Sequence, residues 1–199
     1  MTKIIFTRHG ETIENVEQVS QGDPENSITE KGKNHITLLC KRLGKEKIDL
    51  IISSDMHRCK ETAQFLAQTV KGPITYSKLI REKSNGDWVG KAHKEINWNS
   101  LQGDFENRKP PNGENLLEVR ERGKKFIREL LEQHEGKNVL VVTHGAFLKV
   151  LLGDLLGMTL HNSIFKLQID HCSLSIVDMK SKEEYRVLQI NNQDFLGRV

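Results

Sequence analysis

The sequence predicts a three-layer α/β/α sandwich on a mostly parallel sheet, with an antiparallel edge strand. Three observations carry that reading. Short apolar runs alternate with amphipathic helical stripes through most of the chain, which is the grammar of βαβ units. The runs ending at Phe6 and Val142 have the length and β-branched content of buried strands. Both end abruptly in a Thr-(Arg)-His-Gly turn, at His9-Gly10 and His144-Gly145. In an α/β fold the carboxyl ends of the strands are where ligand sites form. The 199 residues suit one domain, 1–199, with a lid or insertion at about 83–113.

The elements follow in order. Ile4 to Thr7 are the first strand, which delivers Arg8 and His9 while Gly10 permits a tight turn. Residues 16–28, with Gln21-Gly22-Asp23-Pro24, read as a loop near that turn. Thr29 is an N-cap for a helix over 30–44 whose stripe is Gly32, Ile36, Leu39, Cys40 and Leu43. Residues 49–53 are the second strand. Ser54 and Asp55 can cap the next helix, which buries Met56, Cys59, Ala63 and Leu66 and carries Arg58 off that face in its first turn. Residues 74–76 are a short third strand.

Residues 83–113 concentrate glycine, proline and charge, together with Trp88 and Trp98, which are expected to pack this lid rather than bind substrate. A long helix spans 114–135, and Gly123 on its apolar stripe implies close helix packing. The fourth strand brings His144, and 146–156 is helical. Residues 164–169, 173–178 and 185–190 read as strands.

Composition excludes several roles. A net charge of +3, evenly spread, does not match a nucleic-acid surface. Three scattered cysteines without metal spacing read as reduced thiols of a cytoplasmic protein. No apolar run reaches the ~18 residues of a membrane span, and the amino terminus enters a strand without a charged-then-apolar leader. Oligomeric state is open: an edge strand can pair, but nothing in the sequence requires it.

Alone, His9 would read as a hydrogen-bonded structural histidine. The second strand-end histidine changes that. Arg8, His9, Arg58, Glu82 and His144 all fall at strand ends that α/β topology brings to one crevice. Two arginines suit a compact dianion, because the guanidinium fork matches phosphoryl oxygens. There is no P-loop and no acidic cluster for Mg²⁺, so phosphoryl transfer here needs a side-chain nucleophile. A neutral imidazole can serve, and neighbouring arginines keep it neutral. Monoester hydrolysis asks for up to ~10²¹-fold acceleration, while one well-aimed donor contributes about 3–4 kcal/mol, so a whole charged cage is expected. Glu82 is the candidate proton donor, since a bound dianion disfavours a second negative charge beside it. Standing alone it would read as a surface ion pair with Arg81 or Lys83.

These residues resemble the histidine phosphatase superfamily, also called phosphoglycerate-mutase-like. The R-H-G-E-T signature with a following asparagine is Arg8 to Thr12 and Asn15. Gln21-Gly22 and Ile28-Thr29-Glu30-Lys31-Gly32 follow, then Ser53 to Ala63 for the S-S-D-L-x-R-A-x-Q-T-A box, Arg81 to Gly90, Pro111 to Glu114, and the V-x-H-G box ending at Gly145. The matches run in order over about 4–152. The resemblance implies that His9 is the phosphorylated nucleophile, that Arg8, Arg58 and His144 bind the phosphoryl group, that Glu82 is the proton donor, and that Asn15, Gln21 and Gly145 contact substrate. It implies no metal and no organic cofactor.

Departures stand at Glu14, Ser27 and Val89, where members often carry tryptophan, proline and glutamate. They bear on pocket shape rather than on catalytic positions. The short stretch between Glu82 and His144 looks like the phosphatase branch. Lys91, Lys94 and Arg108 lie in the lid without forming a recognisable basic cluster. The expected activity is a metal-independent phosphoric monoester hydrolase of histidine acid type, acting on a small phosphorylated metabolite, with no nucleic-acid or membrane partner. A 2,3-bisphosphoglycerate-dependent phosphoglycerate mutase and a non-catalytic phospholigand-binding module remain alternatives.

Overall fold

A computed structural model describes residues 1–23 and 27–197; Pro24 of the turn-rich loop lies outside them. Among the described residues the order is β1 (Thr2–Arg8), α1 (Ile13–Glu17), α2 (Glu30–Leu43), β2 (Leu50–Ser54), α3 (His57–Val70), β3 (Ile74–Ser77), α4 (Leu116–Gln133), β4 (Asn138–Thr143), α5 (Gly145–Leu155), α6 (Leu160–Lys166), β5 (Leu174–Met179) and β6 (Tyr185–Asn192). Single 3₁₀ turns punctuate 78–100.

The sheet order is β3-β2-β4-β1-β5-β6. Strands β1, β2, β3 and β4 are mutually parallel; β5 pairs antiparallel with both β1 and β6. The antiparallel pairing therefore lies at the β6 edge, and β5 is the reversed strand. Alternation of side chains makes the central strands apolar on both faces. Ile4, Phe6, Val139 and Val141 pack with α4, α5 and Leu160 of α6. Ile5, Leu140 and Val142 pack with α2 and α3. The helices after β1 and after β4 thus cover opposite faces. The gap between these adjacent strands is the topological switch point, where a ligand crevice forms.

Most elements follow the sequence reading. Thr29 caps α2 by accepting from Gly32 N–H at 2.9 Å. Gly123 lets α4 approach Leu151 of α5: a Cβ there would stand 3.4 Å from Leu151 Cδ1. Three expectations are corrected. Residues 164–169 are not a strand: Ile164 to Lys166 end α6, and an irregular segment follows. Thr159 caps that helix, and Leu160 and Ser163 turn inward at helical spacing. A short apolar run does not by itself tell strand from helix. Helix α3 starts at a Met56 cap without a side-chain bond, because Asp55 instead accepts from Arg81 at 2.6 and 2.7 Å. Arg58, expected off the buried stripe of α3, is itself buried at 1% exposure and lines the crevice with Arg8.

Glycine is required where α2 crosses the turn after β1. A Cβ on Gly32 would strike the Glu11 carbonyl and stand 2.7 Å from Ile28 Cγ2. Gly32→Ala is expected to lower stability by about 1–3 kcal/mol, read as a lower urea midpoint, because overpacking outweighs the gain in helix propensity.

Candidate active site

The last rungs of the central ladder build the site. Arg8 is in register with Thr143, and His9 N–H donates to the Thr143 carbonyl at 3.0 Å. His9 and His144 therefore leave neighbouring strands at one level. Their rings lie 5.3 Å apart, edge to face. Both are buried, at 2% and 0% exposure.

His9 is held as one tautomer. Its Nδ1 lies 2.8 Å from the Gly10 carbonyl, which accepts only from a protonated nitrogen, so the proton resides there. Nε2 then carries the lone pair and accepts from Arg58 Nε at 3.2 Å. Burial first, and the Arg58 charge second, hold the His9 imidazolium well below its usual pKa. Nε2 is consequently the neutral ring nitrogen, its lone pair held toward Arg58.

Two guanidiniums flank it. Arg58 Nη1 donates to the Gly22 carbonyl at 2.8 Å. Arg8 Nη1 donates to Ile169 O at 2.9 Å, while its Nε is buried without a partner among the described residues. Gly145 leaves room for Arg8: a Cβ there would sit 3.3 Å from the guanidinium carbon. His144 Nε2 lies 2.8 Å from Ser54 Oγ and 3.4 Å from Cys59 Sγ.

Glu82 is a site residue rather than a surface ion-pair partner. Its Oε2 accepts from Ala146 N–H at 3.1 Å, and its Oε1 from Phe147 N–H at 3.0 Å and Lys83 N–H at 2.9 Å. Two of these amides are the orphan donors at the start of α5, a natural seat for a carboxylate. Thr143 Oγ1 donates to Ile80 O at 2.6 Å, and Arg122 donates to Glu82 O at 3.1 Å. Both bonds tie the segment that carries Glu82 to the scaffold.

Asn15 and Gln21 line the same cavity as Arg8, His9, Arg58 and Glu82. Asn15 Oδ1 accepts from Thr12 N–H at 3.1 Å and Thr12 Oγ1 at 3.0 Å, which leaves its amide NH₂ for a ligand. Gln21 Nε2 donates to Thr12 Oγ1 at 2.9 Å.

Three features go beyond the sequence reading, which left Arg108 in the lid outside any basic cluster. His171 packs its ring 5.5 Å from that of His9. Its only sequence signal is its position just before β5, the strand beside β1. Lys83 and Arg108 line the cavity, and so does Trp98, which also meets Trp88 edge to face at 4.9 Å. Trp98 thus does more than pack the lid. Helix α6 contributes His161, Ile164 and Phe165 to the same wall.

With this geometry in view, comparison with known proteins is informative. The family described as "Histidine phosphatase superfamily (branch 1)" matches residues 4–193. The chain belongs to this family. Among histidine phosphatase relatives, the "Adenosylcobalamin/alpha-ribazole phosphatase" of Escherichia coli K12 is 26% identical over 201 residues, 98% of each chain. The "Probable phosphoglycerate mutase GpmB" of Salmonella arizonae is 30% identical over 189 residues, 92% of this chain and 87% of that one. The solved structure of "Bacillus stearothermophilus YhfR" superposes with a TM-score of 0.89 at 29% identity, covering 99% of this chain and 100% of the other. Among the described residues, no helix is long and apolar enough to cross a membrane.

The buried imidazoles make stability pH-dependent. Burial and then the arginines hold His9 and His144 well below 6.5 in the fold, and burial pushes His171 down to about 3. Unfolded histidines titrate near 6.5. Below that pH the unfolded chain binds more protons, so stability falls as pH falls. Lowering the pH from about 7.5 to 5.5 is expected to cost roughly 1 kcal/mol per buried histidine, seen as a lower urea midpoint at pH 5.5.

Proposed function

We propose that this chain is a metal-independent phosphomonoesterase that hydrolyses small phosphorylated metabolites through a phosphohistidine on His9. The observation that carries the reading is the His9 Nε2 lone pair, fixed by the Gly10 bond and faced by Arg58. In the proposed first step the phosphoryl group enters between Arg8, Arg58 and His144, with the Asn15 amide on one of its oxygens. It displaces the Arg58–His9 bond, so that Arg58 turns its donors to the phosphoryl oxygens. Nε2 attacks phosphorus and the P–O ester bond breaks. The leaving oxygen takes the proton of Glu82, whose Oε2 has a single backbone donor and room for that proton. In the second step Glu82 takes a proton from water, the water oxygen attacks phosphorus, and the N–P bond breaks. The sum is ester plus water giving alcohol plus phosphate. The arginines and His144 stabilise the charge of the transferring group in both steps.

Residues 83–113 act as the lid of a single domain in this reading. The three cysteines are free, which supports a cytoplasmic setting. The matching branch is branch 1, so the acid-type label does not follow from it. The phosphatase name of the Escherichia coli relative supports hydrolysis, and the GpmB name of the Salmonella relative keeps the mutase as the second reading.

Hydrolysis of a panel of phosphorylated metabolites in EDTA tests the proposal. Wild type is expected to release phosphate and His9→Ala to release none above background. Glu82→Gln is expected to lose about 10²–10⁴-fold in kcat and to accumulate acid-labile, base-stable phosphate on the protein. Equal release by wild type and His9→Ala would remove His9 as nucleophile. Brisk interconversion of 3-phosphoglycerate and 2-phosphoglycerate, dependent on bisphosphoglycerate and without net hydrolysis, would favour the mutase.

A further inference from the structure

The cavity extends well beyond the phosphoryl end. Its volume is about 710 Å³, within the range of sites for drug-sized ligands and more than a phosphate and a short carbon chain can fill. The outer wall is apolar, formed by Val19, Trp98, Phe105, Leu116, Ile164 and Phe165. Phe105 and Phe165 stand 5.3 Å apart, and Phe165 remains 65% exposed. Rings left this open on a concave wall have apolar area to offer a ligand.

Two cations share this chamber. Lys83 Nζ lies 4.5 Å over the Trp98 ring and 3.3 Å from Asn85 Oδ1. Arg108 donates to Asn99 Oδ1 at 3.1 Å and Gly103 O at 3.3 Å. Neither has a carboxylate partner within ion-pair distance among the described residues. The carboxylates near Lys83 are committed elsewhere: Glu82 to the amides of α5, Glu114 to Arg122 at 2.9 Å, and Glu118 to Lys109 at 2.6 Å. Burial pushes the Lys83 ammonium down to about 8, against the opposing pull of the Glu82, Glu114 and Glu118 carboxylates, none of which is within ion-pair distance. Arg8 and Arg58 already serve the phosphoryl end, so these two cations are surplus to phosphoryl transfer.

We propose that the outer chamber is a leaving-group subsite for an aromatic body bearing its own anionic group, with Lys83 and Arg108 as the recognition cations. The inference rests on the phosphatase reading and narrows its substrate class to aromatic phosphomonoesters with a second acidic group. The ring lies against Trp98, Phe105 and Phe165, and the second anion neutralises the lid cations.

Binding of non-hydrolysable phosphonates by calorimetry tests this without requiring turnover. The ligands are 4-carboxybenzylphosphonate, its neutral isostere 4-carbamoylbenzylphosphonate, and 3-phosphonopropionate, which keeps the carboxylate and lacks the ring. For wild type, the carboxybenzyl compound is expected to bind at least about tenfold more tightly than either of the others, since a charge-assisted contact and an aromatic contact are each worth about that factor. In Lys83→Gln or Arg108→Gln, with folding checked by circular dichroism, its advantage over the carbamoyl compound is expected to fall to within about threefold. Equal binding of the three ligands by wild type, or a carboxylate advantage that survives both substitutions, would overturn the subsite. Phosphate release from 4-carboxyphenyl phosphate is scored separately against His9→Ala. A retained binding preference without turnover upholds the subsite and overturns hydrolysis; turnover without a preference does the reverse.

Discussion

The His9 N–H meets the Thr143 carbonyl at 3.0 Å, on the last rung of the β1–β4 ladder. From that rung the two buried imidazoles leave their strands side by side. Because Arg8 and Thr143 are in register, a slip of one residue would send each histidine to the opposite face. The both-sided apolar pattern of β1 and β4 forbids that slip, since it would exchange the side chains facing α4 and α5 for those facing α2 and α3. Core packing thus sets the mutual placement of the two imidazoles, and Thr143 Oγ1 extends the same rung to the segment carrying Glu82.

The site gathers groups of like charge. His9 sits among Arg58, His144, Arg8 and His171, each of which opposes its protonation. Arg8 retains a buried Nε without a partner among the described residues. Such a cage costs stability and becomes favourable only when an anion enters it. The surrounding fold offsets that cost with neutral tethers: the Gly10, Gly22 and Ile169 carbonyls hold the imidazole and the two guanidiniums in place. None of those acceptors carries a charge that would compete with a phosphoryl group.

The outer chamber follows a different logic. Its apolar wall comes from lid residues, from α6, from Val19 and from Leu116 at the start of α4, while its cations come from the lid alone. The end that holds His9 is built on strand ends and helix starts. The outer chamber, the leaving-group end in the proposed reading, draws largely on the lid and a short helix, which can vary in shape without disturbing the ladder.

The residues of the phosphoryl cage were legible in the sequence because their signals are local. A buried strand ending in Arg-His-Gly or Thr-His-Gly, and an arginine in the first turn of a helix after a strand, can be read within a few residues, and α/β topology brings such ends together. Segment 164–169 was misread because its apolar run is too short to separate a period of 2 from one of 3.6. His171 and the lid cations Lys83 and Arg108 carried no periodic or motif signal. Their closeness to His9 and Trp98 arises from contacts between residues distant in the chain. The sequence by itself determined the strand-helix alternation, the parallel sheet and the group that attacks phosphorus in the proposed reaction, since these depend on local hydrophobic period and residue chemistry. Tertiary contacts set the Arg58 bond to the His9 lone pair, the seat of Glu82 on α5 and the cationic aromatic chamber, because each depends on distances across the sheet and the lid that no local pattern encodes.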